Sequence, residues 1–576
     1  MIKKINKYFL GYLFISLIFI FFIFKGLILN ISTNLIDWRD YAYVIWVMNQ
    51  TVESIKELSF SGLFNGNAFY PNEGILLFSD LLWPQALMTF IFSFFTKNII
   101  TQFNLVFLST LLLNTVSIYV FWKTLFKNHK DVFFASLVTN FSPYLFLEIN
   151  HFQMITYWPF FFALHYLFKN KKNIKDLIFL SIFIAIQFYA AVYWAIFLIT
   201  VIGTYYLVSL LKKENVFFIL KSLLIIGSLS VVLVGPVFLK YSQVQKAYGV
   251  KREYHEYVNY SAHLTDYLFN GGFRSVISQT KIFKKMNSFN RHGSGEIAVS
   301  ATIIVYIFSI LGIFSIKKNK NNLAINLSLK KHDLIFLLLA LVGFIFSLGP
   351  RLSVNGHYLA FPLPFAIALK YLVIFEPIRA TSRFVALFFI GLTYFSVKGL
   401  NKINKNNNFL LILIALLFFF LEVIPTKFNT EANNYYPAVY NQISDRCNNG
   451  EVLLEYPFNQ DTPKANIATN LKYKASQLTA TVNHNCNLVN GYAGFDPREY
   501  SDYITSFNTA LQATNSASLS GIINQKNIKY IKVNKEYMSK DKLEQLDNID
   551  FYNKFGTIIL EDKEFSLIQV KETNNE

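Results

Sequence analysis

Apolar runs long enough to cross a bilayer, parted by short lysine clusters, repeat along the first three quarters of this chain and leave it few folds. The first, Tyr8 to Leu29, is almost wholly apolar, and a crossing helix takes about 20 residues. Lys3, Lys4 and Lys7 precede it, which by the positive-inside bias puts its start in the cytoplasm. The run is too long, and lacks the small-residue cleavage site, for a removable signal peptide. It reads as an uncleaved first span.

The lysines decide the rest of the path. They cluster at Lys123 to Lys130, Lys169 to Lys175, Lys212 and Lys213, Lys317 to Lys331, and Lys398 to Lys405. The formal charge of +18 is therefore a mark of topology and gives no reason to expect a nucleic-acid partner. With 53% hydrophobic and only 15% charged residues, the chain is a multi-span membrane protein with a modest soluble part. Its excess of Lys, Asn, Ile and Phe suits a bacterium, so the bacterial inner membrane is the expected location.

Holding every cluster on the cytoplasmic side gives about eleven spans. They fall near 8–30, 99–122, 131–148, 152–168, 176–192, 193–211, 216–239, 298–316, 333–349, 383–400 and 408–425. The run Leu81 to Phe95 is short and interrupted by Pro84 and Gln85, so it is expected as a re-entrant or interfacial helix. Outer loops cover 31–98, 240–297 and 350–382. The expected domains are a mainly α membrane domain, 1–425, and a small α+β extracytoplasmic domain, 426–576.

The tail has a different texture. Glu451 to Tyr456 and Ile528 to Val533 alternate like half-buried strands. Thr557 to Glu561 and Phe565 to Val570 predict a closing hairpin, and Tyr500 to Leu511 and Lys540 to Leu546 predict helices. Both cysteines, Cys447 and Cys486, lie here. In an oxidising compartment they would pair; two separate thiols in a small core is the other arrangement.

Chemistry concentrates in the outer loops. The line Asp37-Trp38-Arg39-Asp40 emerges just past the first span, where carboxylates are costly without a role or a partner. A carboxylate in a partly dry site can take a proton from an incoming hydroxyl or amine. On a helix the two acids share one face. The other reading is an interfacial pair neutralised by Arg39, or an aspartate capping the helix through Tyr41 to Val47. Tyr70 and Glu73 follow in the same loop. Arg379 and Arg383, four apart before a span, have the forked donors that suit a phosphate, or they snorkel and anchor that span. Glu148, His151 and Gln153 mark another outer turn. Tyr260 and Asp266 lie in an aromatic and polar stretch that suits a sugar or a glycerol-like head group. The aspartates are of the type that holds a divalent cation, but too few cluster to assign one. No zinc-type cluster, phosphate-binding glycine loop or serine-nucleophile elbow occurs.

These motifs in this order resemble a large bacterial family of multi-span proteins similar to the GT-C type membrane glycosyltransferases. The likeness is carried by Asp37, Asp40 and Trp46, by Phe69-Tyr70-Pro71-Asn72 with Leu77 and Ser79, and by Ser142-Pro143-Tyr144 with His151, Gln153 and Trp158-Pro159. Tyr260-Ser261-Ala262, Asp266-Tyr267-Leu268, Gly295-Glu296 and Arg379 with Arg383-Phe384 continue it. In the tail it runs through Leu453, Tyr456-Pro457 and Asn490 to Phe495. The resemblance implies transfer of a sugar from a polyprenyl-phosphate or polyprenyl-pyrophosphate carrier to a cell-surface glycan, lipid or protein acceptor. It places a catalytic base or acceptor-orienting acid at Asp37 or Asp40, and the donor phosphate at Arg379 and Arg383. Tyr70, Glu73, His151, Gln153, Tyr260 and Asp266 become substrate-binding candidates. Direct, inverting displacement needs no cofactor beyond an optional divalent cation. Arg39 and Tyr41 depart from relatives that carry glycine or proline beside the aspartate. The alternative function is a transporter or flippase, or a non-catalytic assembly protein, for lipid-linked sugars.

Overall fold

The computed structural model describes residues 6–268, 275, 277–288, 299–316, 329–406, 408–425, 428–432, 439–444, 446, 447 and 450–571. The chain divides into two compact units. The first comprises 1–29, 107–239 and 251–429, and the second 30–106, 240–250 and 430–576.

The first unit is helical. A helix stands at each of the eleven positions expected for spans. Four helices are long and apolar enough to cross a membrane, counted among the described residues: Ile99–Leu125, Val192–Leu211, Val216–Tyr248 and Thr381–Ile403. Lys7–Ile23, Ile303–Phe314 and Phe409–Val423 are shorter apolar helices. Val385–Ile403 packs against both Ile303–Phe314 and Lys331–Ser347. Glycine makes the first of these contacts. A methyl group on Gly312 would lie 1.9 Å from the Phe395 carbonyl oxygen, and one on Gly399 would lie 1.9 Å from that of Phe308. Small residues at matched positions let two helix backbones touch, which is how apolar helices associate where burial from water supplies no drive.

The second unit joins what the sequence keeps apart. The loop expected as part of the membrane domain, 31–98, groups with the tail and not with 1–425. The reason is packing. Helix Ile467–His484 lies against helix Asp40–Lys56, and Thr479 Oγ1 donates to the Ala42 carbonyl at 2.8 Å. Backbone bonds tie residues 67–70 to strand Asn487–Leu488: Leu488 N to Asn67 O at 2.7 Å, Tyr70 N to Leu488 O at 3.0 Å, and Phe69 N to Asn490 O at 3.0 Å. Gly491 permits this approach, since a Cβ there would meet the Phe69 ring at 2.3 Å. The interrupted run 81–95 forms helix Trp83–Ser93. Its 11 residues rise only about 16 Å, well short of the roughly 30 Å hydrocarbon layer.

The tail sheet has five strands in the order Asn487–Leu488, Val452–Tyr456, Ile528–Asn534, Phe565–Val570, Gly556–Glu561. The first three run parallel and the last two antiparallel. Val452–Tyr456 is buried at every residue, so it is a two-sided central strand and not the half-buried one expected. Helices Ile467–His484 and Ser516–Gln525 supply the crossovers and carry little apolar periodicity to announce them. Cys447 and Cys486 form a disulfide with Cα atoms 4.9 Å apart.

A polar cluster is enclosed beside the central strands. Glu455 accepts from Tyr440 Oη at 2.9 Å and from Asn534 Nδ2 at 2.9 Å. Lys532 Nζ reaches Tyr440 Oη at 2.7 Å and Glu455 at 3.3 Å. His484 stacks on Tyr440, and its Nδ1 accepts from the Cys486 N–H at 3.2 Å. Burial, helped by the charge of Lys532, pushes the His484 imidazole down to about 4, with Glu455 opposing. The folded protein therefore holds His484 neutral while the unfolded chain takes up a proton below its ordinary value. The contribution of His484 to stability should be lost as pH falls from about 6.5 to about 4, by roughly 1 kcal/mol per pH unit. Denaturant melts of the detergent-solubilised protein across that window test this, and His484→Gln should flatten the slope.

Candidate functional site

In the first unit the chain is bent out of helix just where the acid sits. Helix His129–Asn140 ends, Pro143 opens the short helix Pro143–Leu147, and a 3-10 turn Phe152–Ile155 leads to helix Trp158–Phe168. Carbonyls released by these breaks need donors inside an apolar bundle. Side chains from neighbouring helices provide them. Asn114 Nδ2 reaches Ile155 O at 2.7 Å, Trp194 Nε1 reaches Met154 O at 2.7 Å, and Gln187 Nε2 reaches Thr156 O at 3.2 Å. The turn is thereby held rigid with Glu148, His151 and Gln153 upon it.

Glu148 is the buried counter-ion of Arg383. The guanidinium Nε lies 3.2 Å from Oε2 and 3.3 Å from Oε1, and both side chains are buried. His151 Nδ1 stands 3.3 Å from the same Oε2. Arg383 also lies over the Tyr193 ring at 4.9 Å, and Tyr193 Oη accepts from the Ala380 N–H at 2.9 Å. Arg379 differs. It is half-buried and rests over the Tyr260 ring at 4.7 Å. The two arginines that sequence treats alike are thus one internal ion-pair member and one with surface to spare. Gln153 is partly exposed, and its Oε1 finds no hydrogen-bond partner among the described residues.

Asp266 is wholly buried and accepts from the His263 backbone N–H at 2.7 Å. His263 Nδ1 in turn accepts from the Gly356 N–H at 2.9 Å. These bonds brace the turn that carries Asp266. Gly295 and Glu296 lie outside the described residues.

In the second unit the two aspartates separate in kind. Asp37 is buried and gripped by Arg39, whose Nε lies 3.0 and 3.1 Å from the two carboxylate oxygens and whose Nη2 lies 2.5 Å from Oδ2. The bond to Asp37 raises the Arg39 pKa further above its ordinary value. Asp40 is the first residue of helix Asp40–Lys56 and is half-buried. Its Oδ1 accepts from Tyr492 Oη at 3.3 Å, while burial and the Asp40 charge push the Tyr492 phenol up. Negative charge at a helix N-terminus is favoured by the unpaired N–H groups there. Tyr70 packs against the core of the tail domain, with its carbonyl accepting from Lys526 Nζ at 3.0 Å. That makes Tyr70 a strut. Glu73 is exposed, and its backbone is bonded both ways to Tyr248 Oη.

Sequence reasoning passed over Tyr492 and Tyr193 as site residues. Tyr492 lies in the tail stretch Asn490 to Phe495, and only the fold brings its hydroxyl to Asp40. Tyr193 lies inside one unbroken apolar stretch and carries no local signal. Glu148 did carry one, because an acid beside apolar spans calls for a partner. Among the described residues no group of three or more His, Cys, Asp or Glu side chains is placed to hold a metal ion.

The backbone resembles arabinofuranosyltransferase AftD from Mycobacteria, with a TM-score of 0.58 at 10% identity over 99% of this chain. The chain spans 42% of AftD's length. The oligosaccharyltransferase of Archaeoglobus fulgidus matches at a TM-score of 0.46, with 11% identity, 92% of this chain and 70% of the other. ArnT from Cupriavidus metallidurans, solved with undecaprenyl phosphate, matches at 0.37, with 11% identity and 97% of each chain. The fold of this chain is like that of AftD. The chain belongs to the family described as Domain of unknown function (DUF6311), whose model matches residues 13–422. No characterised protein matches it by sequence.

Proposed function

We propose that this chain is an inverting glycosyltransferase that moves a sugar from a polyprenyl-phosphate or polyprenyl-pyrophosphate carrier to a cell-surface glycan, lipid or protein acceptor. In this reading it crosses the bacterial inner membrane about eleven times, with its N-terminus cytoplasmic and residues 426–576 extracytoplasmic. The observation that carries it is the division of labour between two neighbouring acids. Arg39 occupies Asp37, while Asp40 keeps exposed surface at a helix start, with a phenol donating to one oxygen.

Asp40 takes or steers the acceptor proton as the acceptor oxygen attacks the anomeric carbon. The bond to the carrier phosphate breaks on the opposite face, and its electrons leave with the phosphate. Arg379 is assigned to that departing charge. Arg383 is assigned a positioning role, since Glu148 engages its guanidinium and Tyr193 lies beneath it. Gln153 and His151 remain substrate-binding candidates, as does Glu73.

The test is mass analysis of surface glycans and lipids from a strain lacking the protein, complemented by wild type or by Asp40→Asn. A missing sugar restored only by wild type supports transfer. A flippase would restore it with either gene.

A further inference from the structure

The segment 351–377 of the first unit carries a surface that the proposed reaction does not use. Strand Arg351–Val354 turns through Asn355 and Gly356, both at positive φ, into strand His357–Pro362. The turn is fastened: Asn355 N donates to Thr265 Oγ1 at 3.2 Å and Gly356 N to His263 Nδ1 at 2.9 Å. Helix Pro364–Tyr371 follows, burying Phe365 and Ala368. Phe365 meets Phe346 at 5.6 Å and Phe384 at 6.0 Å. Phe346 is one residue from the end of helix Lys331–Ser347, and Phe384 directly precedes helix Val385–Ile403. The short helix therefore sits at the level where two apolar helices stop.

Its other side is bare. Phe361 and Ile367 are 62% exposed, Tyr371 69% and Val373 67%, and Leu359 and Leu372 add to the same stretch. A fixed hairpin and helix with this much uncovered apolar surface marks an interaction site. Two features choose the partner. The patch is continuous in sequence and packing with helices whose own outward faces are apolar, such as Leu341 on Lys331–Ser347. It is also edged by Arg351, Lys370, Tyr358 and Tyr371, all exposed, the mixture that sits at lipid head groups.

We propose that 357–374 is a membrane-surface anchor, seated in the leaflet that receives the end of Lys331–Ser347, with Lys370 and Arg351 at the lipid phosphates. The inference rests on the membrane-spanning reading of the flanking helices, and the test separates the two. The native cysteines are joined, so a cysteine placed at Leu359 or Ile367 is the thiol available for a nitroxide label. The full-length protein goes into vesicles of phosphatidylcholine with phosphatidylglycerol. Collision rates are read with oxygen, which is lipid-soluble, and with a water-soluble nickel chelate. Leu224 on Val216–Tyr248 serves as the lipid-facing reference and Glu253, 74% exposed by its side chain, as the aqueous one.

The expected result is an oxygen-to-nickel ratio at Leu359 and Ile367 roughly threefold or more above Glu253 and close to Leu224. A ratio matching Glu253 would show water on the patch and overturn the anchor. Low collision with both reagents would show a protein cover, a second copy or another partner, and overturn it equally. If Leu224 also behaves as aqueous, the membrane reading itself fails.

Discussion

Replacing Asp40 with asparagine is expected to lower the rate of sugar transfer by about 10²–10⁴-fold, the usual contribution of a positioned general base. The change is nearly isosteric and keeps an oxygen for the Tyr492 hydroxyl, which lies 3.3 Å away. Folding should hold, and so should the KM for the lipid-linked donor, because the loss falls on the chemical step. Asp37→Asn should behave differently. It leaves the half-buried Arg39 without its carboxylate partner, so its main effect is on stability, with a smaller loss of rate through displaced Arg39. Radiolabelled transfer in membranes, set beside thermal unfolding of the same variants, reads both. If transfer survives both substitutions, the catalytic assignment fails and the fold stands.

Glu148→Gln is expected to destabilise the protein by about 3–5 kcal/mol, since it strands the buried Arg383 charge. The partner change makes the argument testable. Glu148→Leu together with Arg383→Met removes both charges for side chains of comparable size. Exchanging a buried pair for apolar residues is often neutral or stabilising. The double variant should therefore unfold near wild type in detergent, while Glu148→Leu and Arg383→Met alone melt lower. Its donor KM then decides between two roles for Arg383. An unchanged KM agrees with positioning, and a large rise would make Arg383 a phosphate ligand after all. His151, 3.3 Å from the same carboxylate, should tolerate glutamine with a smaller cost.

Much of the helical layout was legible because hydropathy and lysine placement are local signals. Each segment expected as a span holds a helix, since an apolar run of that length has few other ways to satisfy its backbone. The tail strands at 452–456 and 528–534 were legible for the same reason. Their parallel pairing was not, because register depends on crossover helices such as Ile467–His484 whose pattern is faint. The interruption around Glu148 was visible only as a proline and an acid among apolar residues. The donors that make it tolerable, Asn114, Gln187 and Trp194, come from 31 or more positions away.

Sequence alone determined that this is a helical membrane protein, and it named the acids and arginines worth watching. Tertiary structure decided what each one meets. It tied Asp37 to Arg39 and left Asp40 its exposure, buried Arg383 against Glu148 while Arg379 stayed half open, and made Tyr70 and Asp266 braces. It also drew residues 30–106 into one unit with the tail. The physical reason is range: hydropathy is summed along a segment, whereas the fate of a charge depends on whichever partner folding brings within about 3 Å.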